Sequence, residues 1–209
     1  MNIDQIGKTL IHWSGFQENI GRSFMMNEDA LKYPLADFLF NQGGATIDNV
    51  HLEHVHPKFP SRRIDLVVKE SGGHFNSSFE FKLATKYTRT NAEKQRIFDD
   101  LMRLFFLAEG SRGSKFFIII GKTIHFMRDF QQFPNTEQAY YQEWFSFTAG
   151  EQKVISLRGA KAQEYTDVYQ DFSKRYLQDL PESITTECKF ITGFGLSHVP
   201  YMVGIWTVT

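Results

Sequence analysis

Residues 62–84 read RRIDLVVKE-SGGHFNSS-FEFKLA, and the polar residues in this stretch carry most of the functional interpretation. The first and last segments are apolar and rich in branched and aromatic residues, which is the composition of short β-strands. The middle segment is rich in Gly, Ser and Asn and predicts a turn. We therefore predict an antiparallel β-hairpin over residues 62–84.

Three charged residues interrupt the apolar pattern of this hairpin. Asp65 lies in the first strand, and Glu80 and Lys82 occupy alternate positions of the second. Because side chains two residues apart on a strand share a face, Glu80 and Lys82 face the same way, and Asp65 joins them if the register agrees. Buried carboxylates need a cation, a metal ion or several donors. Acidic oxygen ligands beside a lysine suit a hydrated Mg²⁺ and a phosphodiester.

The pattern of Asp65, fourteen further residues and then Glu80-Phe81-Lys82 resembles the PD-(D/E)XK nuclease superfamily, which has the restriction-endonuclease-like fold. The resemblance covers about residues 27–123, and Ile64 replaces the proline of the family's name. It implies a divalent-metal-dependent nuclease that hydrolyses phosphodiester bonds, with DNA as the expected partner. Asp65 and Glu80 would bind Mg²⁺ or Mn²⁺, and Lys82 would assist catalysis.

The segment before the hairpin supplies the next candidate. Asn27-Glu28-Asp29-Ala30 predicts a helix start with Asn27 as the N-cap, and the helix continues through Pro34 to about Gly43. In the family that this chain resembles, such a helix commonly gives another carboxylate to the metal site. Glu28 is the first candidate for that metal ligand and Asp37 the second. The alternative for Glu28 is that it only favours the helix N-terminus.

The segment after the hairpin predicts a second helix and a buried strand. Thr90 and Glu93 form a capping-box pattern, so we expect a helix from about residue 91 to about residue 109. The resemblance makes Gln95, in the first turns, a candidate catalytic residue, with a simple surface role as the alternative. The apolar run 115–121 predicts a buried strand, and the strand-helix-strand order predicts a parallel pair.

Together these elements predict an α/β fold with a mixed central sheet flanked by helices. We expect one domain over residues 1–209, with a restriction-endonuclease-like core at 27–123 and a C-terminal α+β elaboration at 124–209. A short helix is expected over residues 1–14, a helix over 161–180 and strands within 153–158 and 184–206. The second half could decorate the core, form a homodimer surface or read the substrate.

Residues 49–56, NVHLEHVH, predict the strand that pairs with residues 62–68. His51, His54 and His56 suggest zinc, but only His54 and His56 share a face of a regular strand, so a three-histidine site requires a bulge. The alternative is that Glu53 and His54 line a groove near the nuclease site.

Composition narrows the class of protein. The chain has 209 residues, 42 % of them hydrophobic and 22 % charged, and a formal net charge of −1. Residues 58–103 nevertheless hold ten Lys and Arg against six Asp and Glu, which favours contact with phosphates. A single cysteine, Cys188, excludes an intrachain disulfide. No apolar run approaches the ~20 residues that span a bilayer, so we expect a cytoplasmic protein without a membrane partner.

Two functions therefore remain open. The first is the nuclease. The second is a catalytically inactive nuclease-fold protein that binds nucleic acid or protein, in which Asp65, Glu80 and Lys82 are a buried, ion-paired remnant.

A P-loop is excluded because Gly121-Lys122-Thr123 lacks the preceding glycine, and no Gly-x-Ser-x-Gly elbow of a hydrolase is present.

Overall fold

A computed structural model describes residues 1–42, 44–70, 75–107, 113–130, 141–158, 166–176, 179–192 and 200–209. Helices in these ranges are α1 (Ile3–Asn19), α2 (Glu28–Asn41), α3 (Asn91–Phe106), α4 (Thr123–Phe130) and α5 (Thr166–Tyr176), with a 3₁₀ turn at Ser23–Met25. Strands are β1 (Val50–Val55), β2 (Arg63–Lys69), β3 (Phe75–Ala84), β4 (Ser114–Lys122), β5 (Gln152–Ser156), β6 (Ser183–Ile191) and β7 (Tyr201–Val208). Each described helix is too short or too polar to cross a lipid bilayer.

The strands form one seven-stranded sheet in the order β1-β2-β3-β4-β7-β6-β5. β2 and β3 pair antiparallel as predicted, with Leu66 opposite Phe79. The predicted turn over residues 71–78 is wrong for residues 75–78, which belong to β3 because Ser77 and Ser78 pair with Val68 and Val67; residues 71–74 lie outside the described residues. β3 and β4 are the predicted parallel pair, joined through α3, and the other pairs are antiparallel. The α/β class with a mixed sheet flanked by helices is therefore confirmed.

The second half of the chain completes this sheet. β7 pairs with β4 from Phe116 opposite Thr207 to Lys122 opposite Tyr201, and β6 and β5 follow outward. The strands expected within 153–158 and 184–206 are therefore present. α5 lies inside the helix expected over residues 161–180, and residues 161–165 and 177–178 of that range lie outside the described residues. The end expected for the helix after the hairpin, at residue 109, also lies outside them.

The predicted end of the first helix, at Ser14, is wrong. α1 continues through Gly15 to Asn19 because its last turns are held against the sheet. Glu18 accepts a 2.9 Å hydrogen bond from Lys122 and a 3.2 Å hydrogen bond from the Tyr201 hydroxyl. These contacts come from the far end of the chain, so the local pattern does not report them.

Helices cover both faces of the sheet, and an apolar core lies on each face. α1 and α2 pack on the face that carries Phe79 and Phe81. α3, α4 and α5 pack on the opposite face, where aromatic rings such as Phe98 and Phe172 meet edge to face at 5.9 Å. α2 begins at its predicted N-cap, because the Asn27 side chain accepts a 2.8 Å hydrogen bond from the amide of Ala30.

We predict that Gly121→Ala destabilises the protein. Gly121 lies opposite Ala84 in the central parallel pair, and a Cβ atom at residue 121 would lie 2.5 Å from the Ala84 Cβ and 2.8 Å from its carbonyl oxygen. Because Gly121 is paired with Ala84 on one side and with Met202 of β7 on the other, its backbone cannot move away without breaking that pairing. Urea unfolding should show a loss of about 1–3 kcal/mol in the free energy of unfolding.

Gly15→Ala is the matched control for this variant. Gly15 lies in α1, and the nearest atom to an added Cβ, on Pro200, is 3.9 Å away. Alanine is the better helix former, so the free energy of unfolding should stay unchanged or rise by about 0.5–1 kcal/mol. Equal destabilisation by both substitutions would show that the close approach at Gly121 is not the cause.

A buried charged cluster between two helices and the hairpin

The backbone pairing of β2 and β3 ends next to the predicted site residues. The paired positions run from Lys69 opposite Phe75 to Leu66 opposite Phe79. Beyond them, the Asp65 carboxylate accepts a 2.8 Å hydrogen bond from the amide of Phe81. A side chain thus satisfies a backbone donor of β3, and this contact brings Asp65 beside Glu80.

Glu80 and Lys82 share the face of β3 that α3 covers, as the strand period predicts. Glu80 is 1 % exposed, and both of its oxygens accept hydrogen bonds from Arg103, at 3.0 Å from Nε and 3.1 Å from Nη2. Lys82 Nζ forms an ion pair with Oδ2 of Asp100 at 2.9 Å. Arg103 Nη2 also donates to Oδ1 of Asp100 at 2.5 Å.

α2 completes the cluster from its first two turns. Glu28 lies 3.4 Å from Lys82 Nζ and accepts a 3.3 Å hydrogen bond from the amide of Leu83, so the expected meeting of Glu28 with the hairpin residues occurs. Lys32 follows one turn later, is 4 % exposed and lies 3.1 Å from Asp65. Lys32 also pairs with Glu53 of β1 and with Asp29.

Glu53 has an unusual backbone. Its φ is +52°, the left-handed region that is rare for residues other than glycine and costs about 1–3 kcal/mol, and its carboxylate is held by the buried Lys32. The distortion also changes which side chains of β1 meet. The rings of His51 and His54 lie 5.7 Å apart, whereas the regular strand period pairs His54 with His56.

His56 is unavailable to a zinc ion in this fold. Its ring is fully buried, Nδ1 accepts hydrogen bonds from the amides of Lys58 and Phe59 at 3.0 and 3.1 Å, and Nε2 lies 2.9 Å from the Arg103 carbonyl. Because Nδ1 is an acceptor, Nε2 carries the proton and donates. The three-histidine zinc hypothesis therefore does not fit the structure.

Two other predicted residues lie apart from the cluster. Asp37 is on the exposed face of α2, where its carbonyl accepts a 2.8 Å hydrogen bond from Asn41. Gln95 is in α3, and its amide donates a 2.9 Å hydrogen bond to Asp99, which pairs with Arg175 of α5. Within the described ranges, neither side chain contacts Asp65, Glu80 or Lys82, and the simple surface role of Gln95 remains open.

The sequence interpretation missed three members of the cluster: Lys32, Asp100 and Arg103. Lys32 lies in α2, and Asp100 and Arg103 lie in α3, within helices that their capping residues predict. Asp100 is 3 % exposed although it is charged, so it occupies a core-facing position of α3. An acid at such a position, followed three residues later by arginine, indicates an internal ion pair and could have identified Asp100 and Arg103.

Burial in this cluster disfavours the ionised form of three carboxyl groups, those of Glu28, Asp65 and Glu80. Burial raises the pKa of Glu80 well above its usual range, and the neighbouring Asp65 and Asp100 add to the rise that Arg103 opposes. Burial likewise raises the pKa of Asp65 and of Glu28. For Lys82, burial opposes charge, but Asp100 and Glu28 prevail and raise the pKa of the ammonium. The lysine is thus a permanent cation among carboxylates that gain from any added positive charge.

In the part of the chain that the structure describes, no three His, Cys, Asp or Glu side chains converge as a metal site. The ion pairs explain this, because the Asp65 carboxylate pairs with Lys32 and the Glu80 carboxylate pairs with Arg103. The donor atoms are nevertheless of the kind that Mg²⁺ and Mn²⁺ prefer, since Asp65, Glu80 and Glu28 offer carboxylate oxygens. Comparisons with protein-family models, curated proteins and solved structures found no match to this chain.

We predict that Arg103→Met strongly destabilises the protein, because it leaves the buried carboxylates of Glu80 and Asp100 without their guanidinium. Breaking such a buried pair costs about 3–5 kcal/mol in the free energy of unfolding. Arg96→Met is the control, since Arg96 lies on the same helix and is 67 % exposed in its pair with Glu93, where a loss of about 0–1 kcal/mol is expected. Similar losses for the two variants would contradict the buried pairing.

A second prediction concerns acid stability. Burial lowers the pKa of His56 to about 4 from its usual value of 6.5. Between these two pH values the imidazole is protonated in the unfolded chain and neutral in the folded protein. Stability from His56 is therefore complete above pH 6.5 and is lost as the pH falls toward 4, by about 3 kcal/mol. Urea unfolding at a series of pH values should show this fall in the free energy of unfolding in wild type. The control His12→Gln, which changes an exposed histidine, should show the same fall. His56→Gln should lose about 3 kcal/mol less stability than wild type over this range, and the same loss in both would contradict the assignment.

Proposed function

We propose that this protein is a divalent-metal-dependent nuclease of the PD-(D/E)XK, restriction-endonuclease-like type, hydrolysing phosphodiester bonds of DNA. The observation that carries the proposal is the convergence of Asp65, Glu80, Lys82 and Glu28 in one cluster, although they come from β2, β3 and α2. The resemblance requires these residue types to meet. The order of helix, hairpin, crossover helix and parallel strand in α2 to β4 also agrees with it.

The charge balance of the cluster favours an added cation. Four carboxylates, of Glu28, Asp65, Glu80 and Asp100, face the cations Lys32, Lys82 and Arg103. Asp65 and Glu80, with Glu28, would hold Mg²⁺ or Mn²⁺. When bound, such an ion polarises a phosphoryl oxygen and supplies a hydroxide nucleophile.

Lys82 acts as a fixed charge in this proposal. Because Asp100 and Glu28 keep its pKa raised, it cannot serve as a base near neutral pH. A buried ammonium stabilises negative charge that develops on the phosphate, and in a site shielded from water this effect is large.

Arg103 must change partners for Glu80 to bind a metal ion. It occupies both oxygens of Glu80, and it already donates to Asp100. Transfer of the guanidinium to Asp100 would free the Glu80 carboxylate without leaving an unpaired buried arginine.

The same contact supports the second candidate function. A carboxylate that is 1 % exposed and bound at both oxygens by arginine is what a catalytically inactive fold would retain for stability. In that case the protein binds nucleic acid or another protein and cleaves nothing.

Cleavage assays with matched variants separate these functions. We expect wild type to cut linear or plasmid DNA when Mg²⁺ or Mn²⁺ is added and to stop when the ion is chelated. Lys82→Met and Asp65→Asn should each lower the cleavage rate by about a hundredfold or more, because the first removes the ammonium that stabilises charge on the phosphate and the second removes a ligand of the metal ion. Asp37→Asn, on the exposed face of α2, should cut at the wild-type rate.

Circular dichroism and thermal unfolding of each variant establish that lost activity is not lost folding. Metal-dependent cleavage that survives in both Lys82→Met and Asp65→Asn would eliminate the proposed site. A wild-type protein that binds DNA without cutting it, with either ion present, would select the binding function instead.

A further inference from the structure

A cavity of about 290 Å³ adjoins the charged cluster at the end of β3. One part of its lining is apolar and includes Met26, Leu83 and Tyr201, and another part carries Lys86, Tyr87 and Lys122. Leu83 belongs to both sites, since its amide donates to Glu28 and it follows Lys82 directly. A molecule in the cavity is therefore next to the place where the proposed chemistry occurs.

The turn that carries Lys86 and Tyr87 is held rigidly. The amide of Thr85 donates to the Thr88 hydroxyl at 2.7 Å, and that hydroxyl donates back to the Thr85 carbonyl at 2.8 Å. Arg128 of α4 donates to the same carbonyl at 3.0 Å, and the Tyr141 hydroxyl donates to the Thr88 carbonyl at 2.6 Å. Two other parts of the chain thus fix a short surface turn.

This rigid turn presents an exposed aromatic ring. Tyr87 is 59 % exposed, and Lys86 Nζ lies 4.9 Å from the centre of its ring. The hydrogen bonds of the turn therefore hold the backbone that carries this exposed ring in one conformation. A fixed ring loses little conformational entropy when a flat partner stacks on it.

The chemistry of the lining selects the class of ligand. Aromatic faces stack on nucleobases, and lysines contact the phosphates between them. Both Lys86 and Lys122 line the cavity; Lys86 lies over the Tyr87 ring, whereas Lys122 is paired with Glu18 at 2.9 Å, so Lys86 is the lysine better placed to meet a phosphate. A volume of about 290 Å³ is at the small end of ligand sites, which suits one nucleotide and excludes a duplex.

We propose that this cavity binds one unstacked nucleotide adjacent to the cleaved phosphodiester, with its base against Tyr87 and its phosphates near Lys86 and Lys122. The substrate is therefore DNA that is single-stranded or splayed at the cutting site. This inference rests on the proposed function, because it names the substrate class of that site.

The test measures binding without divalent ions, so it does not depend on cleavage. A short single-stranded DNA that contains the fluorescent base 2-aminopurine reports stacking through its emission and affinity through titration. We expect Tyr87→Ala to weaken binding about tenfold and to remove the emission change. Tyr87→Phe keeps the ring and should stay within about twofold of wild type, as should Tyr33→Ala, which removes a 62 % exposed tyrosine from α2.

The lysine and the strand requirement are tested in the same assay. Lys86→Gln should lower the slope of log affinity against log salt by about 0.7, the value for one phosphate contact on a single strand, whereas Lys153→Gln on the opposite edge of the sheet should not. A duplex of the same sequence should bind at least tenfold more weakly than the single strand. Equal effects of Tyr87→Ala and Tyr33→Ala, or equal binding of duplex and single strand, would overturn the proposal.

The two proposals can fail separately. Single-strand binding that depends on Tyr87, in a protein that never cuts DNA, keeps the nucleotide site and rejects the nuclease. Metal-dependent cutting that Tyr87→Ala leaves unchanged on every substrate keeps the nuclease and rejects the nucleotide site.

Discussion

The bidentate contact between Arg103 and Glu80 is the constraint on which this part of the structure depends. A carboxylate on the buried face of a central strand is costly to remove from water, and burial already raises its pKa. The guanidinium compensates with two hydrogen bonds, at 3.0 and 3.1 Å. Because Arg103 is on α3, this contact fixes α3 against β3 in position and in rotation, which apolar packing alone does not do.

The remaining charges follow from that contact. Asp100, three residues before Arg103, is brought over Lys82, and Lys82 in turn meets Glu28 at the start of α2. Helices on opposite faces of the sheet are thereby connected through polar side chains at one end of the hairpin. The network holds more carboxylates than cations, so an added positive charge would stabilise it.

The proposed catalytic and nucleotide sites share a single strand. β3 carries Glu80 and Lys82 into the charged cluster and then continues through Leu83 into the turn that presents Tyr87. A phosphate near the lysine and a base near the tyrosine would thus be positioned by one continuous, paired segment. Rigid elements position reacting groups better than loops do, and hydrogen bonds from α4 extend that rigidity to the turn.

The sequence by itself determined the hairpin, the parallel crossover and the common face of Glu80 and Lys82, because strand period and turn composition are local properties. Asp65 and Glu28 were also identifiable, as charged residues at defined points of predicted elements. Only the tertiary structure decided that Arg103 binds Glu80, that Lys32 binds Asp65 and that α1 continues to Asn19. These outcomes depend on partners 23, 33 and about a hundred residues away, at separations where residue spacing carries no information about which side chains meet.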